Sequence, residues 1–307
     1  SRPLDLWRAA LCAVIAEALA WLVTFALHVA QESVPWPRFR PRASAVLVHR
    51  GAIASLTRFG RVTLYGIDVL ALGWLAGTAL GPFAAARRLV FALVALGLVV
   101  PTALGPLIAR RWLEGGERAR ATIDRAGRWL WALAMPAAAG LALTSARWMP
   151  ALFGAGYRGG GPWLALVAAR LPWVLSGSFS QAALVACRRE HEALRLVGAM
   201  LIAAALVVPL ATLWAGLSGA ALAILAVELA GAAGGWQLLR ALGAAPHWTD
   251  GKVVPSLGTL AMAGVCWASW PLPVGVVCVA GAAAYGLTWL AFLFLSRHEP
   301  IRGGVLR

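Results

Sequence analysis

The amino-acid sequence predicts an all-α, polytopic transmembrane helix bundle of about nine membrane helices. Three observations lead there. The chain of 307 residues is 61% hydrophobic and only 13% charged, with a mean hydropathy of +0.77. Its apolar residues fall into repeated runs of the length that crosses a bilayer, about 20 residues. Its basic residues give a net charge of +15, yet they lie in the gaps between those runs and not in one patch. That placement is a topology signal and argues against nucleic acid as a partner. The short alternating segments of a transmembrane β-barrel do not occur.

The runs are Leu6–Ala30, Ile53–Leu80, Pro82–Ala109, Trp129–Ser145, Pro162–Cys187, Leu194–Ala215, Leu217–Leu239, Val254–Trp270 and Pro273–Leu295. Trp and Tyr recur near their ends, as interfacial anchors do. Gly81–Pro82 reads as a tight turn between the second and third runs. Pro101, Pro106, Pro136, Pro172 and Pro209 lie inside runs. Membrane helices tolerate proline where neighbours satisfy the carbonyl it frees, so kinked helices are expected.

If the helices alternate in direction, the gaps at 31–52, 110–128, 188–195 and 240–252 share one side with the tail. Together they hold two-thirds of the 27 basic residues. That side is cytoplasmic by the positive-inside rule, and the C-terminus with it. The N-terminus is then extracytoplasmic, although SRPLDLWR carries no signal peptide. The sequence therefore reads as the continuation of a longer chain. Residues 1–30 are expected to be the last helix of an N-terminal lobe, and 31–52, with Pro35, Pro37 and Pro41, a cytoplasmic linker. Residues 53–241 are expected to form a six-helix lobe, and 242–307 two additional helices and a cytoplasmic tail.

Charges inside the runs are the candidate functional residues, because a charge at membrane depth costs at least about 2.5–3.5 kcal/mol. Ser55, Arg58, Arg61, Tyr65 and Asp68 share one face of the second run at helical spacing. Glu17, Trp21, Thr24 and His28 share a face of the first. Arg170, Gly177 and Gln181 do so in the fifth, and Glu228 is the acid of the seventh. Arg87 and Arg88 open the third. Arg58 and Arg61 sit near a cytoplasmic end, where snorkelling is an equal alternative. At 1.5 Å per residue, Arg88 and Arg170 lie about 10 Å inside their helices, and Asp68 and Glu228 about 15–18 Å. A basic layer above an acidic one suits an anionic head group, since Arg binds phosphate bidentately. The alternative is a set of fixed structural ion pairs.

Other chemistry is not indicated. There is no P-loop and no HExxH. Cys12, Cys187, Cys266 and Cys278 lack metal-ligand spacing and read as small hydrophobes. The five histidines are scattered. No catalytic residue, metal or cofactor is expected. Glu190 and Glu192 balance neighbouring arginines, and the Gly-rich stretch around 154–161 reads as a flexible extracytoplasmic loop.

Specific residues add a resemblance. GIDVLALGWLAGTALGPFAAARRLVFALVALG, followed by PLIAR, contains Asp68, Leu72–Gly73, Gly77, Gly81, Phe83, Ala84–Ala86 and Arg88–Leu89. With PALFGAGYRGGGPWLALV and Gln181–Ala182–Ala183–Leu184, it resembles the polysaccharide-biosynthesis flippases of the multidrug/oligosaccharidyl-lipid/polysaccharide exporter superfamily. The likeness covers roughly residues 5 to 296 and places the nine runs as that family's sixth to fourteenth helices, the first five being absent. It implies a flippase/exporter-like C-terminal lobe of a two-lobe transporter and no enzyme. The implied activity is flipping of a lipid-linked oligosaccharide or polysaccharide intermediate across the cytoplasmic membrane by alternating access. The implied partners are that lipid-linked sugar, membrane lipids and other polysaccharide assembly proteins. Arg88, Arg170, Gln181 and Arg61 would bind substrate, with Asp68, Glu228 and Glu17 in gating or coupling. A drug/cation antiporter would want acids without these arginines. A membrane-embedded glycosyl- or acyltransferase would want a catalytic acid or histidine beside a large loop. A non-transporting subunit is the remaining alternative.

The topology has a direct test. In a background without the native cysteines, an impermeant maleimide applied to intact cells should spare Gly116→Cys and reach Gly160→Cys. Labelling of the Gly116 position from outside would reverse the orientation.

Overall fold

The computed structural model describes residues 3–32, 41–75, 80–244 and 253–298. Among them the regular elements are all helical. They are α1 (Pro3–Glu32), α2 (Pro41–Leu75), α3 (Leu80–Gly97), α4 (Val99–Leu113), α5 (Glu117–Leu143), α6 (Ser145–Phe153), a 3₁₀ stretch (Ala155–Gly160), α7 (Gly161–Ala168), α8 (Leu171–Ala186), α9 (Glu190–Ala241), α10 (Val253–Ala268) and α11 (Val274–His298). The chain divides into two compact units, Ser1–Arg50 and Gly51–Arg307.

The first unit holds α1, whose described side chains Leu11, Val14, Ile15, Leu19, Leu22 and Val23 are exposed. Trp21 and Phe25 stack at 5.5 Å between ring centroids. Apolar residues exposed around a helix mark a lipid-facing or partner-facing surface. The stretch expected as a linker is helical from Pro41 onward, so α2 begins well before the apolar run. Pro41 suits a first helical position, where its missing N–H costs nothing. Residues 33–40, with Pro35 and Pro37, lie outside the described residues. So do residues 76–79, and Gly81–Pro82 is not a turn but the first turn of α3.

The second unit is built around proline-broken helices. Pro101 has no N–H for the Gly97 carbonyl, and the third run accordingly splits into α3 and α4 at Leu98. Pro172 leaves the Ala168 carbonyl free in the same way, and the fifth run splits into α7 and α8, with Arg170 at the join. α5 starts at Glu117, twelve residues before its apolar run at Trp129. Its first turns are amphipathic: Ala119, Ile123 and Ala126 are buried while Arg118, Arg120 and Arg125 point outward. An apolar-run criterion passes over that pattern. α5 then bends by 77° into α6.

α9 is 52 residues long but is two helices. Ala215 and Gly216 have non-helical angles, with Gly216 at φ +59°. Gly219 abuts Ala211, Gly231 abuts Met200, and Gly235 abuts Leu196. Each pair is centred on the same two residues, so the arms fold back as an antiparallel hairpin. The sixth and seventh runs are these arms. Leu206, Leu210 and Leu213 on the outer side are exposed, and Trp214 at the tip is 95% exposed. Such exposure belongs in lipid and at its interface.

Among the described residues, Gly81–Leu113, Glu190–Ala241 and Val274–Ala291 are long and apolar enough to cross a membrane, and α5 with α6 counts as a fourth if the bent pair is one span. The other expected spans fall short for identifiable reasons. α2 carries Arg58, Arg61 and Asp68, Pro172 divides α7 from α8, and α10 has 16 residues. The chain is a multi-pass helical membrane protein.

α10 and α11 pack on α5. Trp129 and Trp289 stack at 5.9 Å, and Met262, Cys266 and Val277 form a core with Ala139 and Leu143. Arg147 on α6 donates to the carbonyls of Trp270 and Leu272 and lies 4.3 Å from the Trp270 ring centroid. The Tyr285 hydroxyl donates to the Ala132 carbonyl at 2.6 Å. That carbonyl is the one Pro136 leaves without a helical donor.

Tyr285→Phe should therefore cost about 1–3 kcal/mol, seen as a lower melting temperature in detergent. Adding Pro136→Ala restores an N–H four residues on and should recover the loss. A double variant no better than Tyr285→Phe would refute the exchange. For topology labelling, Gly160 is buried against Met149, whereas Gly159 is exposed with open space at its Cβ and is the better reporter.

Candidate functional site

α8 runs through the middle of the second unit. Small and weakly polar residues make it buried on nearly all sides: Ser176, Gly177, Ser178, Ser180 and Gln181 all are. Gly177 lets the Ala232 backbone approach, and Ser180 fills the space over Gly235. Close approach through small residues is how membrane helices associate without a hydrophobic driving force. It brings α8 within side-chain reach of α2 and α9.

A charge network fills that contact. Asp68 on α2 and Glu228 on the second arm of α9 are both fully buried, at 0% exposure. Arg170, at the α7–α8 join, reaches Asp68 Oδ2 at 2.8 Å and lies 4.0 Å from Glu228 Oε1. Arg87 on α3 reaches Asp68 Oδ1 at 3.2 Å. The Val69 N–H donates to the same oxygen at 2.9 Å. Arg61 donates to Glu228 Oε2 at 2.9 Å, to the Val174 carbonyl at 3.1 Å and to Ser178 Oγ at 2.9 Å. Ser178 Oγ is also 2.7 Å from the Tyr65 hydroxyl, and the Tyr65 ring stands 5.0 Å from the Arg61 guanidinium. Gln181 caps this cluster through Met200 Sδ at 3.5 Å.

Three guanidiniums thus face two carboxylates, and one positive charge is in excess. Arginine stays charged in proteins, so the excess is permanent. The space beside the network is small. A cavity of about 20 Å³ lies between Tyr65, Arg87, Phe91 and Arg170, enough for about one water.

The structure brings together Arg61, Asp68, Arg170, Gln181 and Glu228. Arg61 does not snorkel; it is 7% exposed and turned inward. Arg58 is exposed. Arg170 has standing acid partners, as in the ion-pair alternative. Arg88 is not part of the cluster: it is exposed on the other side of α3 and has no ion pair among the described residues. Arg87 takes the place beside Asp68. The buried stripe Phe83, Ala86, Val90 and Val94 explains this, because Arg87 borders that stripe and Arg88 is a further 100° round the helix. Ser178, one residue off the Gly177–Gln181 stripe, also escapes a reading that looks for charges. Glu17 is exposed on α1 in the other unit, and the side chain of His28 lies outside the described residues.

No protein-family model matches the sequence, and no curated protein matches it significantly. The fold is similar to a solved structure, the lipid II flippase MurJ in an inward closed conformation. The TM-score is 0.70 at 14% identity, over 88% of this chain and 59% of that one. The chain therefore shares that structure's fold, and it spans about three-fifths of the length of that flippase.

Charge balance predicts an asymmetry. Asp68→Asn leaves the cluster with two excess positive charges and should cost about 3–5 kcal/mol, read as lost folded yield and a lower melting temperature. Arg170→Gln leaves it neutral and should cost less. The double variant, Asp68→Asn with Arg170→Gln, restores the original balance and should melt above Asp68→Asn alone. Equal losses for both single variants would show that net charge does not govern the cluster.

Proposed function

We propose that this chain belongs to a transporter that flips a lipid-linked oligosaccharide or polysaccharide intermediate across the cytoplasmic membrane by alternating access, with its C-terminus in the cytoplasm. The flippase-type fold supports the transport class. The observation that carries the choice of an anionic, lipid-linked cargo is the permanent excess of positive charge inside the second unit, with a further arginine, Arg88, exposed on the other side of α3 and without an ion pair among the described residues. Low dielectric strengthens the attraction of such a charge for a phosphate.

In this reading the arginines divide the work. Arg88 is the head-group ligand, because its guanidinium is exposed and has no ion pair among the described residues. Arg170 and Arg61 hold Asp68 and Glu228 and keep the interior positive, with Gln181 supporting Arg61 through Met200. Asp68 and Glu228 act in gating by keeping four helices together, so that the unit moves as one body. Glu17 acts from α1.

The reading is tested in the complete protein, in cells that lack their own copy. Arg88→Ala should leave expression and folding normal and abolish glycan export. Arg88→Lys should rescue only in part, since an ammonium lacks the planar fork. Normal export by well-expressed Arg88→Ala protein would remove this residue, and the head-group role argued from it.

A further inference from the structure

A second polar feature lies at the opposite end of α8 from Arg170, and it is independent of the transport reading. An open groove of about 370 Å³ separates α4 from α8. Its floor is made of small residues at helical spacing, Gly105 and Ala109 on α4 and Ala182 and Ala186 on α8, with Val185 and Leu113 beside them. Gly105 contributes no side chain, and the ring of Pro106 takes the adjacent position. The groove runs about 12 Å along α4, from Gly105 to the helix end at Leu113.

Arg188 stands at its mouth. The backbone there is unusual. α8 ends in a turn in which the Arg189 N–H bonds to the Leu184 carbonyl at 2.9 Å and the Arg188 N–H to the Val185 carbonyl at 3.0 Å. That pattern places residue 188 in the left-handed region, normally a glycine position. Arg188 occupies it at φ +61°, and among the described residues it is the non-glycine residue with positive φ. Strain of this kind at a non-glycine residue points to a use for the side chain. The nearby arginines are committed: Arg110 pairs with Glu114 at 2.9 Å and Arg189 with Glu192 at 3.1 Å. Arg188 has no ion pair or hydrogen bond from its side chain among the described residues, and it is exposed.

We propose that this groove binds one anionic membrane phospholipid, its phosphate on Arg188 and one acyl chain along the glycine–alanine floor. Three features fit that occupant together. The floor is apolar and open. The cation is at the end of the groove. That end is where the basic residues concentrate, the position at which a bilayer presents its head groups. A zwitterionic lipid offers the same phosphate beside a cation that offsets its charge, so its hold on the arginine is weaker.

The test titrates purified protein in mild detergent with dioleoyl phosphatidylglycerol, with dioleoyl phosphatidylcholine and with a long-chain prenyl phosphate, reading bound lipid by native mass spectrometry and stability by thermal melting. Phosphatidylglycerol should occupy a single site about tenfold more tightly than phosphatidylcholine, whose choline cation offsets the phosphate charge that the arginine attracts. Arg188→Gly should remove that preference while melting no lower than the parent without lipid, because glycine suits the backbone. This separates loss of binding from loss of folding. Gly105→Leu extends into open space, since nothing lies within 4 Å of its Cβ. It should fill the groove and weaken retention of both phospholipids. Equal binding of the two phospholipids, or undiminished phosphatidylglycerol preference in Arg188→Gly, would overturn the proposal. So would displacement of phosphatidylglycerol by equimolar prenyl phosphate, which would assign the groove to a carrier lipid.

Discussion

Two carboxylates with no exposure, Asp68 and Glu228, sit in the interior of a helical membrane protein. An isolated buried charge is among the most costly features a fold can contain, and removing one partner of a buried pair typically costs about 3–5 kcal/mol. The second unit is arranged so that neither acid is ever alone. Asp68 lies between Arg87 and Arg170, and Glu228 lies between Arg61 and Arg170. Satisfying them demands that α2, α3, the α7–α8 join and the second arm of α9 meet at one level. The glycines and serines of α8 follow from that demand, because only small side chains let the backbones come close enough for the arginines to reach.

The same accounting of polar groups explains features remote from the charges. Prolines inside membrane helices leave carbonyls that lipid cannot satisfy. At Pro101 and Pro172 the chain answers by ending one helix and starting another. At Pro136 it answers with a hydroxyl from another helix, Tyr285, and that bond ties α11 to α5. Arg147 supplies a second tie from α6 to the carbonyls between α10 and α11. Pro101 and Pro172 thus coincide with two helix breaks, and Pro136 with a point where α11 attaches.

Seen together, the unit has an interior cross-linked by ion pairs and two exposed arginines, Arg88 and Arg188, in different settings. On α3, the sequence Arg87–Arg88 turns one guanidinium inward to the network and the other outward. At the far end of α8, Arg188 sits over an apolar groove.

The sequence alone determined the class of molecule: long apolar runs separated by arginines have no other stable form than a helical bundle in a membrane. It also ended the sixth run at Ala215 and began the seventh at Leu217, and the structure places the reversal there, at Gly216 with φ +59°. It singled out Arg61, Asp68, Arg170, Gln181 and Glu228, because a polar residue in an apolar run is visible without a structure. What it did not contain was partnership. The choice between Arg87 and Arg88 depends on a helix phase set by packing of Phe83, Val90 and Val94, and the inward turn of Arg61 depends on an acid 167 residues away. The helical start of α2 at Pro41 lies before the apolar run, and the first turns of α5 were hidden because they are amphipathic and not apolar. Tertiary structure decided these points, since ion pairing and burial are properties of side chains that meet from distant parts of the chain.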